Sequence, residues 1–396
     1  MPYPNVIGAD TRPSFFRTSV ANDLPAPPPR RDVAVRTAVR SLAGMQKEAV
    51  VSSTTHDRAW RLVSDEGPAL EGHQEAPVPL AFLTAGLVAS WTEEMLVLAG
   101  QRGVDLSGLC VQLDNFYTTE GSALRGTMVA GALPPVLSIQ TRSAVAPEGL
   151  RTLCVDAVNA SPVNGLVRGV HTSLFTLTVN GEEVSTDQQG ELQRVPEPGG
   201  VLFDRLGVDE PDETEPLILR LAYTGPQDPA GDAPSSGLRA DRPKRTLNVR
   251  GICTVRPDGI KVVDVWNAHR NDSPIWRFLT QEPAGASGPV LAPDAATLVS
   301  AGIAFCFMTQ LGRYAKVVKQ SLSDYGVVQD LHFSAAGSRT GRAGEADSVE
   351  THLYLRTDED EEAARTLLRM GRQTCYLHAL CETDLRPRVK VTAPAA

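Results

Sequence analysis

Residues 294–320, DAATLVSAGIAFCFMTQLGRYAKVVKQ, decide how the rest of the chain is read. Asp294 follows Pro293 and is a good N-cap, and from Leu298 to Met308 the segment has almost no polar face. That pattern predicts a helix buried on all sides rather than an amphipathic surface helix. Cys306 stands at its centre. Taken alone, such a cysteine reads as inert packing, because free cysteine behaves as a small hydrophobe.

A second copy of the stretch changes that reading. From Pro79, PLAFLTAGLVASWTEEMLVLAGQRG predicts another long, nearly all-apolar helix ending at Gly103. Aligned on Ala85-Gly86 and Ala301-Gly302, Ser90 falls opposite Cys306, and each is followed by an aromatic residue, Trp91 or Phe307. Downstream, LRTLCVDAVNASPV lines up with ARTLLRMGRQTCYL, which sets Ser161 opposite Cys375. The separations nearly match, 71 residues from Ser90 to Ser161 and 69 from Cys306 to Cys375. A repeat this long is a duplicated domain, since solenoid periods run about 20–50 residues.

A chain of 396 residues with 42% hydrophobic and 21% charged residues has the size and composition of two globular domains. Its net charge of −9 argues against nucleic acid as a partner, because that binding rests on concentrated Lys and Arg. The basic run at 239–245, RADRPKR, reads as a solvated linker. No stretch reaches about 18 uninterrupted apolar residues, and the N-terminus has no basic start before an apolar core. Neither a membrane span nor a secretory signal is expected, and the reading is cytoplasmic. Six cysteines without a CxxC motif or regular spacing do not make a disulfide framework.

Residues 1–31, with seven prolines, read as an irregular arm. The first domain, 32–184, is expected to hold strands at Val33–Ala43, Glu48–Ser53 and Ala59–Val63, then the Gly/Pro-rich loop DEGPALEGHQEAPVP before the Pro79 helix. Strands at Leu109–Tyr117, Ala123–Val129 and Val136–Arg142, a helix at Pro147–Asn159 and a long strand Val167–Val179 complete it, ending at an Asn180-Gly181 turn. Residues 185–244 read as an acidic, proline-rich linker with one apolar run, Leu217–Tyr223. The second domain, 245–396, repeats the pattern: strands Leu247–Val255 and Ile260–Trp266 around an Arg256-Pro257-Asp258-Gly259 turn, a strand Ile275–Thr280, and the Cys306 helix. Strands Val327–Ser334 and Val349–Thr357, a helix Asp358–Arg372 and the Cys375 segment follow. Strands in runs between helices define an α+β class.

Asp65-Glu66, the glycine-rich loop, Pro79, LTAGLVAS, AGIAFCF and QTCYL together resemble the OsmC/Ohr family of peroxide-reducing proteins. The resemblance covers about 300 residues as two tandem copies, and it implies a single chain that imitates an intertwined dimer with long central buried helices. It implies Cys306 as nucleophile and Cys375 as resolving thiol, with Ser90 and Ser161 as degenerate counterparts. A thiolate attacks the O–O bond to give a sulfenic acid, and a second thiol converts that to a disulfide. Serine supports none of these steps. The family's organic-peroxide reducers carry a glutamate ten residues before the cysteine, where this chain has Ala296, with Leu80 in the first half. The arginine that such a glutamate holds comes from an early turn, for which Arg256 is the candidate.

A small-molecule substrate and an external dithiol reductant are implied, with no cofactor and no metal. Phe307, Trp91, Glu94, His269 and His378 are pocket candidates. Cys375, His378 and Cys381 have helical spacing, but a zinc site normally takes a fourth ligand. Cys110, Cys154 and Cys253 read as packing. Two other functions stay open: a biosynthetic enzyme in which Cys306 attacks a carbon or sulfur centre, and a non-catalytic binding protein.

Overall fold

The computed structural model describes residues 3–19, 23–186, 192–208, 215–221, 245–270, 272–283 and 290–392. The linker segments at 209–214 and 222–244, including most of the basic run, and the centre of the second Gly/Pro loop at 284–289 lie outside the described residues.

The N-terminal arm carries a short helix, α1 (Val6–Ala9), and a strand, β1 (Phe16–Thr18), where the sequence predicts irregular chain. It is docked by charge: Arg61, 2% exposed, joins Glu48 at 2.5 Å and Asp10 at 2.8 Å. Burial would raise the Asp10 carboxyl, but hydrogen bonds from Arg12 and the charge of Arg61 outweigh it and hold Asp10 to about 2. The expected hairpin strands follow as β2 (Val33–Ser41), β3 (Lys47–Ser53) and β4 (Ala59–Ser64), then the first central helix, α2 (Pro79–Arg102).

Two strands, β5 (Cys110–Glu120) and β6 (Val129–Gln140), stand where three are predicted. The chain at 121–127 turns instead, with Gly121 and Gly126 at positive φ, and β6 tolerates Pro134-Pro135 beside a bulge at Asn115. Helix α3 (Pro147–Ala160) is followed by a short helix, α4 (Asn164–Arg168), and only then by β7 (Leu174–Val179). The predicted strand Val167–Val179 is therefore wrong over its first half, 167–173: apolar Leu166 and Val167 are buried by a helical turn. Asn180 and Gly181 make the expected turn, both at positive φ, into β8 (Glu182–Val184).

Beyond α5 (Val201–Asp204) and β9 (Ile218–Leu221), the second half repeats the first. It runs β10 (Arg245–Val255), β11 (Lys261–Asn267), β12 (Ile275–Thr280), then the second central helix, α6 (Ala295–Val318). Asp294 caps α6, its carboxylate accepting from Thr297 N at 2.7 Å. There follow β13 (Asp324–Phe333), α7 (Gly337–Thr340), β14 (Glu350–Arg356), α8 (Glu361–Thr374), α9 (Tyr376–Cys381) and β15 (Arg388–Thr392), the last unpredicted.

The class is α+β with two mixed sheets. Each sheet draws on both halves. One runs β1-β4-β3-β2-β13-β14-β7-β8 and the other β15-β6-β5-β10-β11-β12-β9. Within them the orders β4-β3-β2-β13-β14-β7 and β12-β11-β10-β5-β6-β15 correspond strand for strand, each closed by a parallel pair. Neither half owns a sheet.

Helix α6 packs on the first sheet through β2, β3 and β13, α2 packs on the second through β10, β11 and β5, and the two helices pack on each other. Both are long and apolar enough to cross a membrane, yet they are buried between the sheets. The Ala-Gly pairs mark their crossing. A Cβ on Gly86 would lie 2.7 Å from Ala295 O, and one on Gly302 would lie 2.8 Å from Leu83 N. Glycine is needed there so that backbones can touch.

Candidate active site

Cys306 lies in the middle of α6, and Cys375 ends α8 just before α9. The fold brings the two thiols within electrostatic reach of each other. Both are buried, Cys306 at 2% exposure and Cys375 at 0%. The Leu377 N–H lies close enough to the Cys306 sulfur to favour the thiolate. Burial and the neighbouring Cys375 thiol outweigh that donor and push the Cys306 thiol well above the ordinary cysteine range.

Phe307, next to Cys306, and His378, three residues past Cys375, pack together with Phe175. Phe307 packs on Phe175 at 5.2 Å and on His378 at 5.3 Å between ring centroids. His378 Nδ1 meets Ser173 Oγ at 2.7 Å, while Nε2 has no hydrogen-bond partner among the described residues. Burial, helped by nearby Arg372, pushes His378 down to about 3, so the ring is neutral. Cys375, His378 and Cys381 do not converge as a metal site; among the described residues no such cluster exists.

Charged groups reach Cys306 from the first half of the chain. Lys47, at the start of β3 and fully buried, is within electrostatic reach of Cys306, Glu66 and Asp65, and burial pushes its pKa down. Its ammonium donates to Met45 O at 2.5 Å. Glu66 accepts from Thr309 Oγ1 at 2.8 Å, one helical turn past Cys306, and burial pushes its carboxyl up. Asp65 holds this loop in shape by accepting from Glu66 N, His73 N and Glu75 N at 2.7, 3.0 and 3.1 Å. A cavity of about 120 Å³ borders Glu66, Trp266 and Trp276.

The first half keeps the geometry without sulfur. Ser90 Oγ and Ser161 Oγ lie 2.8 Å apart, Ser90 in mid-helix and Ser161 at the end of α3. Asn164 N reaches Ser161 Oγ at 3.4 Å. Trp91 is buried beside Ser90 on α2, its indole nitrogen without a partner among the described residues. Glu94 accepts from Ser338 N at 3.0 Å and belongs to this serine side, away from Cys306.

Arg256 is not brought to the cysteines. It stands in the exposed turn between β10 and β11, paired with Glu215 and Asp258, on the sheet that carries α2. The reason is the strand exchange: the hairpin facing Cys306 comes from the other half of the chain, so the turn to inspect is the one before Lys47. His269 is placed on the same sheet as Arg256, bonded to the backbone of Asn248, with burial lowering its pKa. Lys47 is absent from the sequence reading, and Glu66 appears there only as part of the motif, not as a charged neighbour of Cys306. Their signal was the repeat, since Lys261 and Glu282 occupy the matching places under α2, where Lys261 pairs with Glu93 at 2.7 Å.

No family model and no curated protein matches this chain. Among solved structures it is similar to an OsmC-like hydroperoxide resistance protein from Jannaschia sp. CCS1, at 23% identity, covering 32% of this chain and 79% of that one, with a TM-score of 0.18.

Proposed function

We propose that this chain is a cysteine-dependent thiol oxidoreductase of the OsmC/Ohr type, built as a fused pair in which the later half keeps both sulfurs. The observation that carries the reading is that the Cys306 and Cys375 thiols lie within electrostatic reach of each other, at the places that Ser90 and Ser161 fill in the other half. The Cys306 thiolate attacks the terminal oxygen of an organic hydroperoxide; the O–O bond breaks and the alcohol leaves with a proton. The Cys375 thiol then attacks the Cys306 sulfenic sulfur, an S–S bond forms, and water departs. An external dithiol returns both thiols by exchange, itself becoming a disulfide.

Lys47 is the cation for the developing thiolate, in place of Arg256. Because Cys306 is 2% exposed and its thiol is held protonated by burial, the reaction starts from an opened form in which water and substrate reach the sulfur. A second reading, in which Cys306 attacks a carbon or sulfur centre, is favoured by Ala296 standing where the resemblance places a glutamate.

The test is turnover of cumene hydroperoxide with dithiothreitol, comparing the unaltered chain with C306S and C375S. Loss in C306S, with a trapped sulfenic acid in C375S, supports the peroxidase. Unchanged turnover in C306S eliminates it, and absent turnover despite an alkylatable Cys306 selects the second reading.

A further inference from the structure

We infer that the serine half carries a binding site of its own: the cleft beside Ser161 takes a small organic carboxylate, held by Arg168 and Asn164. The inference stands independently of the thiol chemistry.

The cleft has a volume of about 730 Å³, within the usual span of small-molecule sites. One wall is apolar, formed by Val155 and Val158 of α3 with Leu385 and Val389 of the C-terminal segment. Its polar groups are unevenly satisfied. Asn164 is 1% exposed, and neither its amide nitrogen nor its amide oxygen has a hydrogen-bond partner among the described residues. A buried amide left so is an exception that calls for a ligand or water. Arg168 donates to Gly344 O at 2.7 Å and, among the described residues, meets no carboxylate.

The other charges lining the cleft cancel: Arg31 is joined to Glu345 at 2.5 Å and Arg386 to Asp384 at 3.5 Å, while Asp347, outside the lining, is shared by Arg31 and Arg30. What remains is one guanidinium and one amide that can both give and accept. A carboxylate with an amide or hydroxyl nearby answers both, and an attached apolar group answers the wall.

The matching place in the cysteine half is chemically closed. His378 stands opposite Asn164 in the repeat and is packed between Phe175 and Phe307. Glu382 stands opposite Arg168, reversing its charge, and is held by Arg372 at 3.0 Å and by Ser173 N at 3.2 Å. The open, cationic version is particular to the serine half.

The probe is N-benzoylglycine, which has a carboxylate, an amide and an aromatic ring, against its neutral amide, N-benzoylglycinamide, titrated into the full chain by calorimetry. Saturable binding of the acid is expected, with the neutral probe about tenfold weaker and R168Q lowering affinity for the acid by about tenfold. C306S is expected to bind the acid unchanged, so failure of the thiol reading and failure of this one are separate results. Should R168Q lose its fold with the Gly344 contact, R168K keeps charge and donor without the fork, and a several-fold loss is expected. No saturable binding of the acid, equal affinity for the two probes, or undiminished affinity in the folded Arg168 variants overturns the proposal.

Discussion

Ser90 with Ser161 and Cys306 with Cys375 are the same pair of positions, filled twice. In each, a residue from the middle of a central helix lies near the residue that ends the next long helix: Ser90 and Ser161 are hydrogen-bonded, with Asn164 N reaching Ser161, and Cys306 is within electrostatic reach of Cys375 and the Leu377 N–H. The contact therefore belongs to the crossing of α2 and α6 and to the sheets around them. Reactivity belongs to the atom placed there. A hydroxyl pair at 2.8 Å is a satisfied hydrogen bond, whereas two thiols in the same place can exchange two electrons.

The strongest way to break this comparison is to remove one atom from each side. C306S is expected to lower hydroperoxide turnover by about 10³-fold or more, while S90A leaves it unchanged, both read by peroxide consumption. A double substitution, S90C with S161C, should make the sides alike: after mild oxidation, peptide mass spectrometry is expected to find a 90–161 disulfide beside the 306–375 one. Finding the second bridge absent while the first forms would mean that the serine geometry is not equivalent.

Smaller effects sharpen the comparison. Gly86→Ala and Gly302→Ala force a methyl into the helix crossing and should each cost about 1–3 kcal/mol in denaturant unfolding, by similar amounts if the crossing is symmetric. Lys47→Met is expected to slow iodoacetamide alkylation of Cys306 by about tenfold at fixed pH. In the unaltered chain that rate should keep climbing above pH 9, because burial raises the thiol beyond the ordinary 9.0 and the thiolate fraction is still growing there. Least of all, S90A removes one buried hydrogen bond and should cost about 1 kcal/mol.

Much of this was legible in the sequence because the signals were long and local. The two central helices, 24 residues each, announce themselves by long, mostly apolar stretches, and the shared Ala-Gly spacing aligns the halves. That alignment set Cys306 and Cys375 opposite Ser90 and Ser161; their pairing was what the family resemblance implied. What sequence could not supply was which half faces which. Lys47 lies 259 residues before Cys306, and its approach depends on β2 pairing with β13, as Val35 with Leu331. Arg256 looked near Cys306 only because both lie in the second half. Short elements were the other loss: α4 and β15 are five residues each, stabilised by what they pack on rather than by their own pattern.

The strand exchange also sets a timetable for synthesis. The first sheet cannot join β2 to β13 until residue 333 has left the ribosome, and the second waits for residue 392 before β15 closes on β6. For most of translation the growing chain must carry β2, β3 and β4 as a hairpin set with one open edge, a surface that invites pairing with a neighbouring nascent copy. Holding chaperones, or a slow final stretch of translation, would act on that exposed edge rather than on the finished protein.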